Sequence, residues 1–224
     1  INGDTEVRYS HYITTAGVWE STLSAEIIGD FGVLLPKGVS VAYLPSPQAT
    51  RIRISAYGSS QEAIHSKIEP VLVIIKQRAS YLIIGEGQDI TLAKVIGEEL
   101  VDHNLYLATA ESCTGGYVSN AITDVPGSSR YFKGGINAYA NEVKVKQLGV
   151  SRNAIEKYGA VSKEVALQMA EGAATNLNAD IGISTTGIAG PSGGSEEKQV
   201  GTVWIGFYSE EKHFALKALF TNDR

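Results

Sequence analysis

The chain has one cysteine, Cys113, among 224 residues. It can therefore close no internal disulfide, which fits a reducing, cytoplasmic setting. It has no signal peptide and no apolar run near the ~20 residues that a membrane-spanning helix needs, so no membrane is expected as a partner. Positive charge is not in excess: 19 Lys and Arg stand against 24 Asp and Glu, a net charge of −5. That balance argues against a nucleic-acid binder that works by massed phosphate neutralisation. Histidine is scarce. His11, His65, His103 and His213 are scattered and, with the lone cysteine, show no zinc-site spacing, so neither a metal nor another cofactor is expected. Internal repeats and low-complexity tracts are absent.

What is there is a core-forming composition, 43% hydrophobic and 19% charged, in a chain long enough for two domains. The sequence begins at Ile1 and stops at Arg224 in what reads as mid-element, so a longer parent protein is expected. The pattern changes near residue 85. Residues 1–85 read β-α-β-β-α: a strand over 7–14, a short helix over 19–28, alternating strands over 39–44 and 51–57, and a helix over 61–77 with Ile64, Ile68, Val71, Leu72 and Ile75 at helical spacing. A short strand over 81–84 and the linker GEGQD close this half. Residues 86–224 alternate helix and strand and end in two adjacent strands, 201–208 and 213–220. This predicts an α/β layered sandwich with a mixed sheet, preceded by a small α+β domain.

The first half contains Gly29 to Gly32 (GDFG), the GxxG spelling of a KH RNA-binding loop. Its seven acidic and seven basic side chains make that half neutral, and an aspartate inside the loop would repel the phosphates a KH loop clamps. A helix C-cap followed by a turn is the simpler reading, and nucleic acid is not an expected partner.

The second half carries the chemistry. AESCTGG (110–116) follows the apolar run 105–109 and precedes a segment that reads as a helix over 114–122. Ser112, Cys113, Ser128 and Ser129 are nucleophile candidates, and a serine needs a base. None of the histidines sits in a site-like context. Lys144 is the best-placed lysine, at the start of a helix just after the strand that ends in Tyr139 and Ala140. Burial and the positive end of the helix would both favour its neutral, basic form. Ser128 and Ser129 follow Pro126-Gly127, where a serine caps a helix and free backbone N–H groups can hold an oxyanion. Cys113 reads as a small buried residue. The loop Gly187 to Gly194 (GIAGPSGG) follows a buried strand over 180–186, where open α/β sheets place ligands, and its glycines let backbone N–H groups turn toward an anion. It is not a Walker A loop.

AESCTGG, PGSSRYFKGGINAYANEVKVKQLGV, GAVSKEVALQMAEGA, TTGIAGPSGG and EEKQVGTVWIGF together resemble the C-terminal domain of the CinA competence/damage-inducible family, over about residue 88 to the end. Ala16 to Ser21 (AGVWES) resembles the opening of that family's small KH-like middle domain. The resemblance implies a nicotinamide mononucleotide deamidase: a Ser-Lys amidohydrolase with Ser129 as nucleophile, Lys144 as base, and Tyr139 and Ser112 as close partners. Gly115 and Gly116 would let the chain pass close to the ligand. Thr186, Gly187, Ala189 and Gly190 would line the pocket, and Arg224 would reach the substrate phosphate. Gln199 stands where the family usually has proline. The expected partners are the mononucleotide, further copies of the chain in a homo-oligomer, and an absent N-terminal domain. The competing class is a nucleotide-binding module that regulates a partner domain without turnover.

Overall fold

The computed structural model describes residues 7–31, 35–46 and 48–220. Two of the residues singled out above, Gly32 and Arg224, lie outside them. The chain forms two compact units, residues 1–95 and 96–224.

The first unit is built on an antiparallel sheet in the order β2-β3-β1-β4, from β1 (Val7–Thr15), β2 (Val39–Pro45), β3 (Thr50–Gly58) and β4 (Ile83–Glu86). The alternation read in the sequence sends Ile13, Ile52 and Ile54 to one face. There they meet Ile64, Ile68, Val71 and Ile75 of α2 (Gln61–Ala79). Ser60 starts α2 by accepting a hydrogen bond from the Ala63 N–H at 3.2 Å, an ordinary N-cap. The short helix expected over 19–28 is one α-helical turn, α1 (Glu20–Thr22), running into a π-helical stretch over Leu23–Ile28. The wider π winding lets both Leu23 and Ile28 reach the core. It ends at Gly29, whose φ of 71° suits only glycine.

The second unit holds a mixed five-stranded sheet in the order β6-β5-β7-β8-β9: β5 (Leu107–Glu111), β6 (Phe132–Asn137), β7 (Ile181–Gly187), β8 (Thr202–Ser209) and β9 (His213–Leu219). β6, β5 and β7 run parallel; β8 and β9 are antiparallel additions. This is the mixed α/β architecture the sequence predicts. Ala108 and Ala110 of β5 face the helical layer of α5 (Asn141–Leu148), α6 (Arg152–Tyr158) and α7 (Lys163–Leu177), with Leu148, Ala154, Val165 and Met169. Leu107 turns the other way, to Leu100 of α3 (Leu92–Asp102) and Ile122 of α4 (Tyr117–Thr123). α7 lies very close to the sheet, because Gly182 and Gly206 face it. A Cβ on Gly182 would come within 1.9 Å of the Ala170 carbonyl oxygen, and one on Gly206 within 2.4 Å of that of Ala166.

The order β6-β5-β7 means that the chain leaves β5 to one side and returns on the other. The C-terminal ends of β5 and β7 therefore flank a topological switch point, where open α/β sheets bind ligands. No helix among the described residues is long and apolar enough to cross a membrane.

Candidate active site

AESCTGG sits at that switch point. The strand runs to Glu111, beyond the end at Thr109 that the sequence suggests, and α4 starts only at Tyr117. Ser112 to Gly116 is thus a turn between strand and helix, not the first turn of a helix. The Ser112 N–H donates to the Thr185 carbonyl across the strand pair at 3.0 Å. The Thr114 and Thr185 hydroxyls share a hydrogen bond of 2.6 Å. Gly115 and Gly116, at φ 61° and 104°, reverse the chain. The N–H groups of Cys113 and Thr114 meet no backbone carbonyl among the described residues.

Glu111 holds this turn from beneath. Its carboxylate is 1% exposed and accepts from the N–H groups of Gly116, Val118 and Ser119 and from the Ser119 hydroxyl, at 2.7 to 3.0 Å. Burial alone would raise its pKa. Hydrogen bonds from the Ser119 and Thr114 side chains and the backbone outweigh that and hold the carboxyl below the usual range. Glu111 is the structural residue that sequence reasoning left without a role. Its signal is a carboxylate at a strand end with Ser119 eight positions on, a cap formed from the strand side.

Lys144, in the first turn of α5, is 1% exposed. Its Nζ lies 2.8 Å from the Ala138 carbonyl, 3.0 Å from the Tyr139 carbonyl and 3.0 Å from Ser112 Oγ, and in the ammonium form donates to all three. These partners are uncharged. Burial therefore pulls its pKa below the ordinary lysine value, opposed by the nearby Cys113 sulfur. Ala138 is fixed in turn, its N–H donating to the Glu111 carbonyl at 2.7 Å. Burial pushes the Cys113 thiol upward, and Lys144 only partly offsets this, so the thiol is not activated.

The structure brings Lys144 and Ser112 together. Ser129 is exposed on a one-turn 3-10 helix, Ser128–Arg130, and is not among the hydrogen-bond partners of Lys144. Tyr139 contributes its carbonyl, while its side chain is turned to solvent, 67% exposed. Thr186 is buried and spends its hydroxyl on the Ala160 carbonyl at 2.8 Å. Gly187 is glycine for packing: a Cβ would lie 2.7 Å from the Thr202 carbonyl oxygen. Ala189 and Gly190 are half-buried in the loop after β7. Three of the four histidines have other partners: His11 binds Glu86 at 2.7 Å, His65 packs at a tilt against Tyr9, and His103 bonds the Glu99 carbonyl.

Residues 89–224 match the family described as the CinA C-terminal domain, and residues 10–85 the damage-inducible protein CinA KH domain. A CinA-like protein of Salinibacter ruber is 44% identical over 223 residues, 100% of this chain and 53% of that protein. A putative competence-damage inducible protein of Halothermothrix orenii is 43% identical over 88% of this chain and 46% of its own length. The chain thus spans about half the length of the relatives it matches. Among solved structures, the competence/damage inducible protein CihA of Agrobacterium tumefaciens matches at 38% identity and a TM-score of 0.57, covering 58% of this chain and 80% of that one. A CinA superfamily protein of Escherichia coli matches at 34% identity and a TM-score of 0.57, over 59% and 77%.

Proposed function

The chain belongs to the CinA family, and from that premise we propose that its second unit is an amidohydrolase that converts nicotinamide mononucleotide to nicotinate mononucleotide and ammonia. One observation carries the chemistry: a buried lysine without a carboxylate partner among the described residues, its Nζ 3.0 Å from a serine hydroxyl. A neutral amine there has two N–H bonds for the Ala138 and Tyr139 carbonyls and one lone pair for the Ser112 O–H. That is the arrangement of a general base. On this reading Ser112 is the nucleophile, in place of Ser129.

Lys144 takes the proton as Ser112 Oγ attacks the carboxamide carbon. The N–H groups of Cys113 and Thr114 stand next to the nucleophile and are the candidate oxyanion donors. The lysine then gives its proton to the leaving nitrogen, and ammonia departs. Water attacks the acyl-serine, with Lys144 again the base, releasing the carboxylate product and restoring the Ser112 hydroxyl. Gly115, Gly116 and the loop from Gly187 to Gly190 would form the pocket walls, and Arg224 would meet the phosphate. A second reading rests on the same cage: three acceptors equally suit a permanent ammonium, as in a binding module without turnover. Ammonia release from the mononucleotide, measured beside free nicotinamide, separates the two. Steady release that is lost in Ser112→Ala supports the amidase; ligand binding with no ammonia supports the module.

A further inference from the structure

The face of the first sheet that turns away from α2 carries Arg8, Arg51 and Arg53, and no carboxylate projects from it in β1, β2 or β3. Thr14 and Leu44 both lie directly opposite Arg51 across the strand pairs. Side chains so paired stand together on one face. Here they line a cavity of about 260 Å³, bordered also by Ser46, Gln48, Ala49, Ile90 and Thr91. Two polar atoms in its lining are orphaned: Thr14 Oγ1 and Arg51 Nε are buried and meet no hydrogen-bond partner among the described residues. Thr14 is only 1% exposed. Buried polar groups left in this state call for an absent partner.

Two hydroxyls beside it are already engaged. The Ser46 hydroxyl is spent on the Ala49 backbone, donating to its carbonyl at 2.8 Å and accepting from its N–H at 3.2 Å. Thr91 Oγ1 accepts from the Lys94 N–H at 3.2 Å. Arg51 Nε can only donate and the Thr14 hydroxyl is able to, so a partner that accepts from both satisfies the pair. A water can do that, but it leaves the guanidinium without a counter-charge, and no carboxylate lines the cavity. An anion with several oxygens meets both needs, and paired contacts to an arginine are strongest with such groups. The volume lies just below the ~300–1,000 Å³ usual for drug-sized ligands.

We propose that this cavity is a binding site for a small oxyanion, a phosphate or small phosphate monoester, held by Arg51 and Thr14. The site uses neither Ser112 nor Lys144 and stands apart from the amidase reading. The test is an NMR titration of the whole chain with inorganic phosphate at constant ionic strength. A saturable shift of the Arg51 Nε–H signal and of the Thr14 and Ala49 amides is expected. Thr14→Val keeps the side-chain shape and removes only an unpaired hydroxyl, so the variant folds. It should bind phosphate roughly tenfold more weakly. Arg51→Lys keeps the charge, loses the Nε donor and should also bind weakly. Ribose 5-phosphate titrated in parallel assigns the natural ligand: tighter binding than phosphate points to a monoester, equal or weaker binding to the free ion. Absence of saturation, or unchanged affinity in Thr14→Val, overturns the site.

Discussion

Lys144 has three acceptors within 3.0 Å and is shut off from water, so its protonation state decides what the site does. On the proposed reading of Lys144 as general base, its removal in Lys144→Ala should lower kcat by ~10²–10⁴-fold with KM little changed. Lys144→Arg should not restore activity, because arginine stays protonated. Ser112→Ala should abolish both turnover and any acyl-enzyme seen by mass spectrometry. Ser129→Ala should leave kcat within a few-fold and Cys113→Ala nearly silent; an intact acyl-enzyme in Ser112→Ala would return the nucleophile to Ser129. The lowered pKa also has a sign in stability. The folded state gives up its lysine proton at a lower pH than the unfolded chain, whose lysine titrates at about 10.4. Between those two values the unfolded state binds the extra proton, so this group makes stability rise with pH toward that upper bound. Urea midpoints measured across that interval should rise in the wild type and lose that component of the slope in Lys144→Met.

Among the elements, the β5–α4 connection depends on one carboxylate that receives four hydrogen bonds. Glu111→Gln places an amide N–H₂ against donors and removes the charge that caps α4. We expect a loss of roughly 2–4 kcal/mol in urea unfolding at neutral pH, on the scale of hydrogen bonds to charged groups. Because the native carboxyl is held acidic, its contribution is present above the unfolded value of about 4.3 and fades as pH falls through the lower folded value. The gap between variant and wild type should narrow in acid. Elements with strong patterns were readable in the sequence: α2 from its run of isoleucines, and β7 from the buried strand over 180–186. The ends of β5 and β6 were not. Glu111 is drawn into the strand by pairing with Asn137 and Thr185, partners far away in sequence, and β6 stops at Asn137 where the chain turns into the lysine's cage. The π winding over Leu23–Ile28 left no mark in spacing, since it follows from which residues the core must reach. Ser129 stood out as a cap-like serine after Gly127 and as the nucleophile that the family resemblance implies, whereas packing sets Ser112 against the lysine.

For the whole molecule, the chain divides after Val95 into a small antiparallel unit and a larger mixed one, later than the change of pattern read near residue 85, and both units match parts of the CinA family. In the larger unit, the closeness of α7 to the sheet depends on glycines rather than on large side chains. Gly182→Ala would force a methyl into the Ala170 carbonyl. It should cost at least ~1–3 kcal/mol, as overpacking does, and it should lower activity through the displaced β7 more than through any direct contact with substrate. Thermal unfolding and KM of the purified variant check this together. The parallel pairing of β5 with β7 has a consequence in time. The turn after β5 is fastened to Thr185, whose hydroxyl partner Thr114 lies 71 positions earlier in the chain. α7 can wind from near neighbours in the chain, whereas this fastening must wait for a long loop to close. During refolding from urea, helical circular dichroism should therefore return before the proposed ammonia release does, and the chain should pass through a helical but chemically silent stage whose length is set by how quickly β7 finds β5.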